Sequence, residues 1–262
     1  MNIHKLKALS LAYVFNDMCP LLGNNCLVRL PYYFGYYLTC SRTLFVRSIN
    51  NPNHFNKNKI DPILHHTKYL VLDFEATCDN GPNFLKPQEI IEFPCIAIKY
   101  SGEHFERLSY FHKYVKPVVH KELTEFCTQL TGINQSIIND SEHFDKVLNQ
   151  FCQWYEHQSN YGQENCIIVT SGNWDLGRIL IEQCELSAIQ IPSFMRTWIN
   201  IKKLFAQTIG KYPYGVRNMM TTLNLKHIGS LHSGIDDCEN IITIMNSLAE
   251  QGCVFKATNK LS

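Results

Sequence analysis

Four carboxylates and one histidine stand in three short segments of this chain. They are Asp73 and Glu75 in Val-Leu-Asp-Phe-Glu-Ala-Thr, Asp175 in Ser-Gly-Asn-Trp-Asp-Leu, and His232 with Asp237 in His-Ser-Gly-Ile-Asp-Asp. Carboxylates gathered away from water repel one another and lose hydration, so a cluster of them needs protons or cations. Oxygen donors of this kind suit Mg²⁺ or Mn²⁺. Each segment also has an ordinary reading by itself. An Asp-x-Glu at the end of an apolar run can solvate a strand end, an Asp beside a helix start can cap it or favour its first turn, and a loop histidine can simply be exposed. As a set they read differently, because three elements ending at one sheet edge would build a nest of acids that is unstable without cations. Two divalent ions about 3.5–4 Å apart would stabilise the attacking and leaving oxygens of a phosphodiester. A histidine beside them could deprotonate the attacking water.

The elements that must position these residues can be traced in the apolar pattern. Tyr69–Phe74 reads as a buried strand. Side chains two apart on a strand share a face, so Asp73 and Glu75 should point together and Phe74 away. Glu89–Tyr100 reads as a second strand, with Pro94 marking a bulge or bend. Ser109–Val115 reads as a third, ended by Pro117, and the three suggest an antiparallel meander. Helices are expected over Thr124–Thr131, stopped by Gly132, and from Ser141 onward, where Phe144, Val147, Leu148, Phe151, Cys152 and Tyr155 recur at helical spacing. Strand Cys166–Thr170 precedes a helix from Trp174 to Cys184. A strand at Trp198–Ile201 runs into a helix through Phe205. Helices over Arg217–Leu223 and Ile235–Gln251 close the chain. Asp237 should face inward from the first turn of the last helix, with Asp236 pointing elsewhere as its cap. The order gives an α/β architecture with a mixed central sheet flanked by helices.

Composition bounds the rest. The chain has 262 residues and a formal net charge of +1, with 45% hydrophobic residues, enough for a sizeable core. Charge is unevenly spread: residues 1–60 hold 7 Lys/Arg against 1 Asp/Glu, leaving a mildly acidic remainder. Residues 1–66 are therefore expected to be a basic, disordered extension, with an Asn-rich linker at 50–58. Arg29, Arg42 and Arg47 faintly resemble a mitochondrial transit peptide. No apolar run is long enough for a membrane span. The 11 cysteines lack zinc-ligand spacing and read as reduced thiols of an intracellular, cytoplasmic or nuclear, protein.

In this order the motifs resemble those of the DEDDh 3′–5′ exonucleases, which have a ribonuclease H-like fold. Within that family they are most similar to the enhanced-RNA-interference exoribonuclease branch, its third member above all. The resemblance spans about residues 68–258. It rests on Leu-Asp-Phe-Glu-Ala-Thr-Cys-Asp (72–79), Pro-Gln-Glu-Ile-Ile-Glu-Phe-Pro (87–94), Leu-Thr-Gly-Ile (130–133), Ser-Gly-Asn-Trp-Asp-Leu (171–176), Trp-Ile-Asn-Ile-Lys-Lys (198–203) and His-Ser-Gly-Ile-Asp-Asp-Cys-Glu-Asn-Ile (232–241). It implies an exonuclease domain over 67–258, with 259–262 as a tail. It implies that Asp73, Glu75, Asp175 and Asp237 hold two Mg²⁺ ions, replaceable by Mn²⁺, with His232 as general base. It further implies that Glu75 and Ala76 contact the terminal nucleotide, Thr77 and Trp174 line the same pocket, and RNA 3′ ends are cut to nucleoside 5′-monophosphates. This branch often has Asp where the chain has Asn173; the position that matters for catalysis is Asp175. Glu89 and Glu92 are expected to make structural hydrogen bonds. Lys202, Lys203, Lys211 and Arg217 fit either a phosphate track or a solvated face. Two other functions stay open: a DEDDh enzyme acting on single-stranded DNA, and an RNA-binding protein that keeps the fold without turnover.

Overall fold

A computed structural model describes residues 66–81 and 85–261. The expected basic extension, its linker and its targeting character fall almost wholly outside the described residues. Among these, no helix is long and apolar enough to cross a membrane, and all eight cysteines are free thiols.

The strands are β1 (Thr67–Leu72), β2 (Glu75–Ala76), β3 (Ile90–Tyr100), β4 (Phe105–Lys116), β5 (Glu142–His143), β6 (Asn165–Thr170), β7 (Thr197–Asn200) and β8 (Asn259–Lys260). They form one sheet in the order β5-β4-β3-β1-β6-β7-β8, with β2 paired to β3. β1, β3 and β4 make the expected antiparallel meander, whereas β1, β6 and β7 run parallel. The sheet is therefore mixed, and β1 and β6 end at the same edge.

The helices are α1 (Glu125–Thr131), α2 (Gln135–Asn139), α3 (Phe144–Gln158), α4 (Leu180–Leu186), α5 (Ile201–Ile209), α6 (Val216–Thr222) and α7 (Gly234–Glu250). Alternation along β1 shows why they cover both faces. Leu70 and Leu72 pack with Phe93, Cys95 and Ala97 against Val147, Leu148 and Phe151 of α3 and Leu180 of α4. Tyr69 and Val71 pack with Ile96 and Ile98 against Leu204 and Phe205 of α5 and Ile241, Met245 and Leu248 of α7. A strand buried on both sides reads as an unbroken apolar run, as β1 does.

Several expectations shift. β4 starts at Phe105, four residues early, because Phe105 joins an edge-to-face cluster with Tyr69 (5.4 Å) and Phe255 (5.3 Å). The outward Glu106 and Arg107 hid this in the sequence. Pro94 does not make the bulge: it pairs in register with His112, and the irregularity in β3–β4 lies between Ala97 and Ile98. Pro94 instead falls between the β1 pairing, which ends at Leu72–Cys95, and the β2 pairing at Glu75–Glu92. A residue without an N–H is tolerated at such a gap. The helix expected from Trp174 opens as a π turn, Asp175–Ile179, before α4. Residues 259 and 260, read as tail, pair with β7.

Glu89 is fully buried, and its carboxylate accepts the backbone N–H groups of Val118 (2.6 Å), Val119 (3.0 Å) and His120 (2.8 Å). This is the structural role expected for it. It fixes the turn after β4 to the start of β3. Glu89→Ala should cost about 3 kcal/mol or more in urea unfolding, since three amides lose a charged acceptor; Glu89→Gln, which keeps one acceptor oxygen, should cost less.

Candidate active site

Asp73 follows β1 directly, and Glu75 opens β2 after a two-residue break. Across the sheet, Asp175 follows β6 through the turn 171–174. Its Oδ1 accepts the Phe74 N–H at 2.9 Å, which ties the end of β6 to the break after β1. The π turn places it there. Leu180 N–H donates to Asp175 C=O five residues back, widening this turn of helix. Gly177 lies beside the Trp198 ring, where a Cβ would make ordinary contact at 3.5 Å.

His232 and Asp237 enter from the start of α7. Oxygen or nitrogen atoms of Glu75, His232 and Asp237 lie within 4.8 Å of one another. His232 holds a left-handed backbone conformation (φ 60°), uncommon for a residue with a side chain. Its N–H donates to Asp237 Oδ2 at 3.2 Å, which pins the backbone and leaves the ring exposed. The helix start is seated tightly: a Cβ at Gly234 would stand 2.6 Å from the Asp73 carbonyl oxygen and 2.8 Å from Pro94 Cγ. Glu92 Oε2 accepts the Gly234 N–H (3.0 Å), and Glu92 Oε1 meets His112 Nε2 (2.7 Å). Glu92 is thus a clamp between β3, β4 and α7, again the structural hydrogen bonding expected of it.

Other expected residues take different places. Ala76 is buried in β2 beside Glu75. Trp174 is half-buried against the core cluster that holds Phe74 and Leu176. Thr77 does not reach the open side: it is 2% exposed, and its hydroxyl accepts the Glu89 N–H at 2.9 Å. It braces β2 against β3. Asp236 does not cap α7; its Oδ2 accepts the Ser230 N–H (2.8 Å) and closes the preceding loop. Asn173 Oδ1 accepts from Asn200 Nδ2 (3.0 Å) and Asn259 Nδ2 (2.7 Å), so β7 and β8 hold the turn that carries Asp175. An aspartate there could accept both bonds as well. His227 was not foreseen. Its Nε2 lies 3.1 Å from Asn240 Nδ2 and 3.9 Å from Asp237 Oδ1. One loop histidine among 11 carries no mark in the sequence.

With the geometry in view, the family model of the RNase T exonucleases matches residues 70–245. The nuclease domain of 3′hExo, described as a DEDDh family member bound to rAMP, superposes with a TM-score of 0.69 at 31% identity. The match covers 74% of this chain and 97% of that one. This chain belongs to the DEDDh exonuclease family. Human ERI1 exoribonuclease 3 is 44% identical over 194 residues, covering 73% of this chain and 56% of that protein. Rat 3′-5′ exoribonuclease 1 is 32% identical, covering 80% and 62% respectively. The chain thus spans a little over half the length of these curated relatives.

The electrostatics of the candidate site follow from its crowding. Burial, then repulsion from Asp175, Asp237, Glu75 and Glu92, pushes the Asp73 carboxyl well above the usual carboxylate range. Burial and the facing Glu92 push Glu75 up to about 9. Burial raises Asp175 to about 6, against hydrogen bonds from the Phe74 and Asp175 amides and the nearby Lys202 charge. Burial also raises Asp237, opposed by its bond from His232 N–H and the His232 and His227 rings. A donor set of hard oxygens with one imidazole, short of compensating positive charge, fits divalent cations such as Mg²⁺ or Mn²⁺.

The sign of the pH dependence follows. Carboxylates raised in the fold hold protons there that the unfolded chain, titrating near about 4, has released. Their contribution to stability is full below that value and is lost as pH rises through about 6 for Asp175 and about 9 for Glu75. A cation that binds the ionised cluster offsets the loss. The gain in melting temperature on replacing EDTA by Mg²⁺ should therefore grow between about pH 5 and about pH 9. Calorimetric scans across that range check it; a gain that is flat or shrinks with pH contradicts the assignment.

Proposed function

We propose that this chain is a divalent-cation-dependent 3′–5′ exoribonuclease that releases nucleoside 5′-monophosphates from RNA 3′ ends. The observation that carries the reading is the meeting of Glu75, His232 and Asp237 within 4.8 Å, beside Asp73, which follows β1, and Asp175, which opens the π turn after the parallel strand β6. Its membership of the family, and relatives named as exoribonucleases, support the same choice.

Asp73, Glu75, Asp175 and Asp237 would hold two cations, Mg²⁺ with Mn²⁺ as substitute. When bound, these supply charge neutralisation at the phosphate and activation of water. The protein groups do the rest. His232, with its backbone pinned to Asp237 and its ring on the open side, takes a proton from the attacking water. The water oxygen forms a bond to the phosphorus of the last nucleotide. The bond from that phosphorus to the 3′ oxygen of the preceding nucleotide breaks, and that oxygen leaves with a proton as the new 3′-hydroxyl. The phosphate stays on the released nucleoside as a 5′-monophosphate. Glu75, Ala76, Trp174 and His232 contact the terminal nucleotide, and Thr77 supports β2 from behind. A related nuclease domain was solved with rAMP and a related 3′-exonuclease with a histone mRNA stem-loop, which fits a nucleotide product and an RNA substrate here.

RNA labelled at its 5′ end and, separately, at its 3′ end should be shortened from the 3′ end with Mg²⁺ and left intact with chelator. Asp237→Ala should lower the rate by more than about a hundredfold, beyond the loss typical of residues that only support a metal ligand. His232→Ala should lower it by about 10²–10⁴-fold. A fully active Asp237→Ala protein, or release of label from the 5′ end first, sinks the reading. A DNA oligonucleotide of the same sequence, run in parallel, reports the preference for the 2′-hydroxyl.

A further inference from the structure

Between Glu185 and Asp236 lie 50 residues without a single Asp or Glu, carrying Arg196, Lys202, Lys203, Lys211, Arg217 and Lys226. In a chain of net charge +1 this is a concentrated positive stretch, and it borders the acidic site. It supplies β7, α5, α6 and the turn between the two helices. Lys202 links that turn to the site. Its ammonium lies 3.7 Å from where a Cβ would stand on Gly172, in the turn that leads to Asp175, and donates to the Tyr214 carbonyl oxygen at 3.1 Å. The same charge draws the Asp175 carboxyl downward.

The turn is built to hold one ring in the open. Gly210, in a left-handed conformation, ends α5. Pro213 is buried. The Tyr214 N–H donates to Asn218 Oδ1 (3.2 Å) while its carbonyl accepts from Lys202, so the backbone is tied on both sides. The Tyr214 side chain is nonetheless 83% exposed, the highest value among the exposed large hydrophobic side chains of the described residues. Lys211 and Arg217, three residues to either side in sequence, are exposed too. An exposed aromatic ring on a tied backbone, in a stretch whose only charges are basic, is the chemistry that receives single-stranded nucleic acid, with bases stacking on the ring and phosphates following the charges.

We propose that the Tyr212–Arg217 turn is a subsite for nucleotides more than one position upstream of the scissile phosphate, in which the Tyr214 ring stacks on a base and the basic residues of the stretch attract the backbone. This rests on the exonuclease reading and deepens it: Tyr214 is a specificity residue that makes the enzyme prefer strands long enough to reach the turn. It takes no part in the chemical step.

The test compares a single-stranded RNA of about eight nucleotides with a dinucleotide, which has only one nucleotide upstream of the scissile phosphate. Tyr214→Ala should raise KM for the longer RNA about tenfold, in line with loss of one stacking contact, with kcat nearly unchanged. Dinucleotide hydrolysis should stay at the wild-type level, and Tyr214→Phe, which keeps the ring, should behave as wild type on both. Fluorescence anisotropy of the same labelled RNA, with Ca²⁺ in place of Mg²⁺, should show the matching loss of affinity. This binding arm stands apart from turnover: a wild-type protein that cleaves neither substrate refutes the proposed function, while the anisotropy still decides the subsite. Equal affinity of Tyr214→Ala and wild type for the RNA overturns the subsite and leaves the exposed ring to a protein partner.

Discussion

Repulsion among buried carboxylates is the constraint around which this molecule is arranged. Asp73, Glu75, Asp175 and Asp237 are pushed above their usual titration range mainly by burial, and Glu92, facing Glu75 across β2–β3, adds to the strain. Such a cluster needs a stiff frame, because its members would otherwise separate into water. The frame is a sheet packed on both faces. β1 and β6 bring two acids to one edge, and α7 is drawn against that edge by Glu92 and by the absence of a side chain at Gly234. The proposed cations complete the same arrangement, since they alone would let all four groups ionise in place.

Charge is divided along the chain in a way that serves this centre. The acids lie just after β1, in β2, at the start of the π turn and in the first turn of α7, whereas the stretch from 186 to 235 holds only basic charges. Lys202 sits where the two meet, close to Gly172 and hydrogen-bonded to Tyr214. A polyanion is attracted to the basic stretch and repelled by the unneutralised acids. In the proposed function, entry of a strand's end into the site and occupation of the site by cations would therefore be coupled by simple electrostatics.

Much of this was legible in the sequence, and the reasons are physical. β1 could be read because burial on both faces leaves an unbroken apolar run, and α3 because Phe144, Val147, Leu148 and Phe151 repeat at helical spacing. Each acid alone has an ordinary reading, so only the set of them in order pointed to one place; in the fold Glu75, His232 and Asp237 come within 4.8 Å of one another. What escaped depends on contacts between distant segments. The π turn at Asp175, where Gly177 lies beside the Trp198 ring, has no mark in the local pattern. The early start of β4 depends on Tyr69 and Phe255. Asp236 looked like a helix cap, but Ser230 claims it. Thr77 looked like a pocket residue because it adjoins Glu75 and Ala76, yet its hydroxyl goes to Glu89. His227 reaches Asp237 only once α7 is in place.

The central claim, that the carboxylates close around a pair of divalent cations, is tested most directly by titrating the cation-free protein with Mn²⁺ and following the free ion by electron paramagnetic resonance. The account predicts two saturable ions per chain, with the broadened signal of spins a few ångströms apart, about the 3.5–4 Å of a two-metal site. A protein that takes up no Mn²⁺ in a saturable way contradicts it.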